Sequence, residues 1–152
     1  MCNLNDFMRY ANVVSKSYSV PQDKLELAMT DFFEQTAKLN RQLASMPFYS
    51  LEELPDNQVF IKMYLSLQYP LEDLPQGMHF DSYFNIGPMV SCAVYGDDME
   101  AQGANSYNRF QPFFEQNKLI PVTPVFTVLR GDSDFSYAIL KIGYVTAQET
   151  QD

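Results

Sequence analysis

The chain has 152 residues, enough for one domain with a core of its own. Its formal net charge of −9 repels phosphate backbones and anionic lipid, which argues against nucleic-acid and membrane-surface partners. With 12 Phe, 10 Tyr and no Trp the apolar fraction is rich in aromatics, and no apolar run approaches the ~20 residues a membrane-spanning helix needs.

Taken in order, Phe7 to Val20 mixes β-branched, aromatic and polar residues without a helical period and reads as a strand or bent strand. Pro21-Gln22-Asp23 opens a helix, with proline well placed in the first turn. Leu25, Met29, Phe32, Thr36, Leu39 and Leu43 recur at spacings of three and four and make one buried stripe, opposite Asp31, Glu34, Gln35, Lys38 and Arg41. Ser45-Met46-Pro47 ends the element. Phe48–Leu54 and Gln58–Leu67 read as strands joined by Pro55-Asp56-Asn57, and Tyr69 to Gly77, with two prolines and two acids, reads as a linker. Met89 to Tyr95 is a strand. Asp97 or Asp98 can then cap a helix running to about Leu119, kinked at Pro112. Pro121 and Pro124 break the chain ahead of two apolar segments, Val125–Leu129 and Phe135–Tyr144. Between them Arg130-Gly131-Asp132-Ser133-Asp134 is a hairpin signal.

The same element order thus occurs twice. Aligning Pro47 with Pro124, an offset of 77, pairs Phe7 with Phe84, Val13 with Val90, Tyr18 with Tyr95, Phe33 with Phe110 and Asn40 with Asn117. Neither half can bury a helix and three strands alone. The expected fold is therefore α+β: a single domain over 1–152, built from two pseudo-symmetric β-α-β-β repeats, 1–70 and 78–146. Their strands would form an antiparallel sheet with two helices on one face, leaving an aromatic-lined groove on the other.

This pattern resembles the GyrI-like effector-binding domain of multidrug-responsive activators and gyrase-inhibitor-type proteins. The likeness is carried by Phe84-Asn85-Ile86-Gly87-Pro88-Met89-Val90-Ser91-Cys92-Ala93-Val94-Tyr95-Gly96-Asp97 and by Phe113-Phe114-Glu115-Gln116-Asn117-Lys118-Leu119 with Pro121 and Pro124. Gly77-Met78-His79-Phe80-Asp81-Ser82-Tyr83-Phe84 and Met46-Pro47-Phe48-Tyr49-Ser50 resemble small bacterial proteins encoded beside LXG-type toxins of type VII secretion, which implies an accessory role. In the drug-binding members a Glu on the strand after the second helix meets cationic ligands, and in some relatives it hydrolyses electrophiles together with a Tyr. Here that place falls on Phe126 or Thr127, with Tyr49 and Ser50 in the first half. The resemblance, so modified, implies a non-enzymatic binding protein for a small apolar molecule or a protein segment. The alternative of the same fold is a small-molecule hydrolase or stress-linked gyrase inhibitor.

The residues themselves offer little catalytic chemistry. His79 is the single imidazole and reads as structural or surface. Asp97, Asp98 and Glu100 suit a helix start, Asp132 and Asp134 suit a turn, and Glu52, Glu53, Asp56, Glu72 and Asp73 lack metal-ligand spacing. No metal or cofactor is expected, and nothing in the sequence fixes the oligomeric state. Cys2 and Cys92 read as free thiols, and Met1 to Asp6 lacks a leader-like pattern, so the expected compartment is the cytoplasm. The candidate ligand-binding residues are the strand aromatics Tyr10, Tyr49, Tyr64, Tyr83, Phe126 and Tyr137.

Overall fold

The computed structural model describes residues 2–95, 107–131 and 136–147. Its elements are β1 (Cys2–Pro21), α1 (Leu25–Lys38), β2 (Phe48–Leu54), β3 (Gln58–Ser66), β4 (His79–Tyr95), α2 (Gln111–Asn117), β5 (Leu119–Pro121), β6 (Val125–Gly131) and β7 (Ser136–Thr146). The class is α+β with antiparallel strand pairing, as the pattern predicts. The chain divides into two compact units, the first Arg9–Phe84 and the second Met1–Met8 with Asn85–Asp152.

In the first unit β3 lies between β1 and β2, in registers that set Ser15 opposite Tyr64, Ser17 opposite Lys62 and Phe48 opposite Tyr64. Period two then separates two faces. Val14, Ile61, Met63 and Leu65 face α1 and pack with Ala28 and Phe32, joined by Tyr18, Tyr49 and Leu51 at the margin. Ser15, Ser17, Phe48, Ser50, Lys62 and Tyr64 point the other way. Helix α1 stops at Lys38 rather than reaching Leu43, because Asn40 turns left-handed (φ 51°) and its N–H bonds back to the Ala37 carbonyl. Leu43 consequently leaves the stripe and is exposed. The β2–β3 turn is made by Asp56 and Asn57, both left-handed, a conformation their short polar side chains tolerate.

In the second unit β7 lies between β4 and β6, with β5 added along its C-terminal end. Val90, Cys92, Val94, Val125, Leu140 and Ile142 form the core with Phe110 and Phe114 of the α2 region. Pro112 lies in the first turn of α2, where its missing N–H has no intrahelical acceptor to lose, so it starts this helix and does not kink it. The segment expected to begin that helix, with Asp97, Asp98 and Glu100, lies outside the described residues, as do Asp132 and Asp134. β5 replaces the expected helical end at Leu119, since Lys118 takes the left-handed conformation and closes α2.

The cysteines correct the expectation of free thiols. Cys2 and Cys92 form a disulfide, with Cα atoms 4.3 Å apart across 90 residues of sequence. It joins the start of β1 to β4 inside the second unit. Among the described residues no helix is long and apolar enough to cross a membrane.

Candidate functional site

Aromatic side chains gather where β1, β2, β3 and the start of β4 meet in the first unit. Phe48 stacks on Tyr10 (centroids 4.6 Å apart) and on Tyr64 (4.7 Å, 6° between planes), and Phe84 meets Phe48 at 5.3 Å and Tyr64 at 5.0 Å. Registry explains the cluster, since Phe48 and Tyr64 are direct cross-strand partners on the face away from α1. It is closed: Phe48 is 0% and Tyr64 6% exposed. Burial pushes the Tyr64 hydroxyl up to about 12; a hydrogen bond with Ser50 opposes this, and the charges of Asp81 and Glu52 add to it.

Of the six aromatics singled out from sequence, the first unit therefore brings together Tyr10 and Tyr64, with Phe48 and Phe84 as partners the sequence reading did not include. Tyr49 lies on the opposite face, against the α1 core. Tyr83 is 81% exposed. Phe126 and Tyr137 belong to the second unit, on the face of β6 and β7 away from α2, opposite Lys141 and Arg130 respectively.

Around Phe126 the second unit holds a buried charge. Lys141 is 7% exposed, and its Nζ lies 3.3 Å from Asp6 Oδ2 and donates to the Phe7 carbonyl at 2.9 Å. Ser91, its β4 neighbour in register, hydrogen-bonds the same carboxylate. Partial burial opposes ionisation of Asp6. The Phe7 N–H (2.8 Å), Ser91 and Lys141 outweigh it and hold the carboxyl below its ordinary range. Sequence reasoning missed Lys141, although one lysine in the otherwise apolar run Ala138–Tyr144 was a visible signal. Thr127, the other position matching the family's Glu, is opposite Leu140 on the α2 face.

Among the described residues, open clefts also lie in the first unit. One, of about 330 Å³, lies beside the C-terminal end of α1 and is lined by Phe33, Thr36, Leu43, Pro47 and Leu65 with Arg41 at its side. A second, of about 340 Å³, is lined by Ser15, Lys16, Ser17, Lys62, Gly77 and His79. Near the second, Lys16 Nζ lies 3.2 Å from Asp31 on α1, and Asp31 also accepts from Tyr18 (2.7 Å) and Gln35. The Tyr18 bond is the largest influence on Asp31; with Lys16 and Gln35 it overcomes the opposing effect of burial and keeps that carboxyl below its usual range. His79 is exposed and pairs with Asp81 at 3.2 Å, a surface placement as expected. Among the described residues no group of three or more His, Cys, Asp and Glu is placed to hold a metal ion.

The fold is shared with solved structures of very different sequence. The C-terminal domain of EcmrR matches with a TM-score of 0.71 at 12% identity, covering 97% of this chain and 98% of that one. A hydrolase from Listeria innocua matches at 0.53 and 11% identity, over 93% and 92% of the two chains. SAV2435 bound to tetraphenylphosphonium matches at 0.53 and 10% identity, over 99% and 96%. Identities this low establish a GyrI-like fold and no more. No curated protein matches the chain by sequence. A family model does, across residues 9–146, and the chain accordingly belongs to the DUF5085 family, a domain of unknown function.

Proposed function

We propose that this protein is a non-enzymatic, GyrI-like binding domain for a small apolar molecule, neutral rather than cationic, or for an apolar side chain of a partner protein. One observation carries the reading. Where the resemblance places a cation-accepting Glu, this chain has Phe126 or Thr127, and the residue opposite Phe126 is a buried lysine already paired with Asp6. A lipophilic cation brought there would meet a like charge whose carboxylate partner, Asp6, is already committed, whereas a neutral ligand brings no charge against Lys141. The fold likeness to EcmrR and SAV2435 supports binding as the activity. The net charge of −9 argues against nucleic acid as a partner.

Titration with tetraphenylphosphonium and with a neutral isostere, read by tyrosine fluorescence, tests the proposal. Tighter binding of the cation by the wild type would overturn it. Lys141→Met, which leaves Asp6 without its counter-ion, should shift the preference toward the cation. The hydrolase alternative draws on the likeness to the Listeria innocua protein. Turnover of generic ester or epoxide substrates that is lost on Tyr10→Phe or Tyr64→Phe would favour it. A role as an accessory of a secreted-toxin operon supplies the protein-segment version of the ligand. Co-purification with the product of a neighbouring toxin gene tests that version.

We further infer that the units descend from one repeat. The cross-strand row Ser15–Tyr64–Phe48 of the first has a counterpart, Ser91–Lys141–Phe126, in the second, with serine and phenylalanine in matching places. Superposing residues 7–67 on 84–144 of a crystal structure tests this; an unrelated path would refute it.

A further inference from the structure

We infer that the first unit carries an oxyanion site in the cleft between β1, β3 and the entry to β4, suited to the carboxylate or phosphate group of a small molecule. The cleft runs against the charge balance of the chain. Overall 19 acidic residues outnumber 10 basic ones, yet the cleft is lined by Lys16, Lys62, His79 and two serines, with no carboxylate among its lining residues. Its volume of about 340 Å³ exceeds what a water or halide fills and reaches the lower end of small-ligand pockets, roughly 300 Å³ upward.

The second observation is Ser15. Its residue is 0% exposed and its hydroxyl has no hydrogen-bond partner. A buried hydroxyl of this kind is costly and calls for an explanation. Strand alternation puts it on the same face as Ser17 and Lys62, which line the cleft together with it.

The cations have distinct parts. Lys16 is held by Asp31, and its Cε would lie 3.5 Å from a Cβ at Gly77, so it acts as a positively charged wall. Among the described residues Lys62 has no ion pair; its Nζ lies 5.4 Å from the Tyr64 ring centroid. Lys62 is therefore the primary anchor, with Ser15 and Ser17 as hydroxyl donors and His79, already beside Asp81, at the rim. Asp81, Asp31 and Glu52 nearby favour a singly charged anion over a more highly charged one.

Calorimetric titration of the full chain at low ionic strength with inorganic phosphate, with benzoate and with chloride tests the inference. Saturable binding of phosphate or benzoate but not chloride is expected, and whichever of the two binds identifies the group. Lys62→Gln should weaken binding about tenfold or more, the usual effect of losing a charge-assisted hydrogen bond. Ser15→Ala should also weaken it while raising Tm, because it removes an unpaired buried hydroxyl. Lys24→Gln, outside the cleft, should leave the affinity unchanged. Three results would overturn the site: no saturable binding of either oxyanion, unchanged affinity in Ser15→Ala, or equal losses in Lys24→Gln and Lys62→Gln. The last would indicate diffuse attraction only.

Discussion

Phe48 gives the sharpest test of how the first unit is held together. Its ring is 0% exposed, stacked between Tyr10 and Tyr64 at 4.6 and 4.7 Å, with Phe84 tilted against it at 5.3 Å. Truncation to alanine removes the whole ring from a closed site, a change that costs about 3–5 kcal/mol in comparable cores. Three ring pairs, each contributing about 0.5–1.5 kcal/mol beyond burial, place this site toward the upper end of that range. Phe48→Leu separates the two contributions, because leucine keeps most of the apolar area and loses every ring pair. A simple change of shape costs less than about 1.5 kcal/mol, so a loss near 2 kcal/mol is expected if stacking matters. Equilibrium urea unfolding measures both, provided the m-value is unchanged. Should Phe48→Leu cost under about 1 kcal/mol, the stack would contribute nothing beyond hydrophobic area. A small loss in Phe48→Ala would show that the cluster is not closed.

Three further outcomes follow from other sites. Reducing Cys2–Cys92 opens a loop spanning 90 residues, for which chain entropy gives about 4–5 kcal/mol as an upper figure; Asp6–Lys141 and Asn5–Tyr144 still hold the strand end, so a smaller fall in urea midpoint is expected, and two reactive thiols before reduction would refute the bond. Tyr64 favours its protonated form in the folded state, with a pKa raised to about 12; its contribution is fully present below the unfolded value near pH 10 and is lost as pH rises through about 12, an effect of about 2–3 kcal/mol. Unfolding measured across that alkaline window should flatten in Tyr64→Phe, and an unaltered slope would remove Tyr64 as the source. A Cβ on Gly143 would sit 2.8 Å from Thr123 Cγ2, so Gly143→Ala should cost about 1–3 kcal/mol, most of it recovered in the double variant with Thr123→Ser, which keeps the hydroxyl that Gly143 N–H bonds. Failure of that rescue would place the strain elsewhere.

Much of the fold was legible because it rests on local periodicity. The spacing of Leu25, Met29, Phe32 and Thr36 identified α1 and its buried face, and Phe48–Leu54 was bounded to the residue by Pro47 and the Pro55-Asp56-Asn57 turn. What depends on distant partners was not legible. Cys2 and Cys92 are apart in sequence and join only because β1 and β4 bring them together. The end of α1 turned on one asparagine adopting a left-handed backbone, which an apolar stripe continuing to Leu43 disguised. The strand aromatics were recognisable as a class, but which face each took depended on register: Tyr49 and Phe48 are neighbours in sequence and lie on opposite faces. Ser15 became informative only once burial left its hydroxyl without a partner.

β1 and β4 each serve both units: Cys2–Met8 and Asn85–Tyr95 belong to the second, while Arg9–Pro21 and His79–Phe84 belong to the first. No single cut in the chain separates them. A gene fragment ending in the 69–77 segment would carry a stretch of β1 whose partners lie in the missing piece, and would lack the opening residues of β4. The remaining fragment would likewise lose Asp6, leaving Lys141 buried without its carboxylate. For an evolving gene this makes the two halves inseparable. Because each unit draws strand from both ends of this division, neither unit can be deleted, shuffled or transplanted by a single cut. Change is confined to what both units tolerate together: the turns, the exposed faces and the clefts.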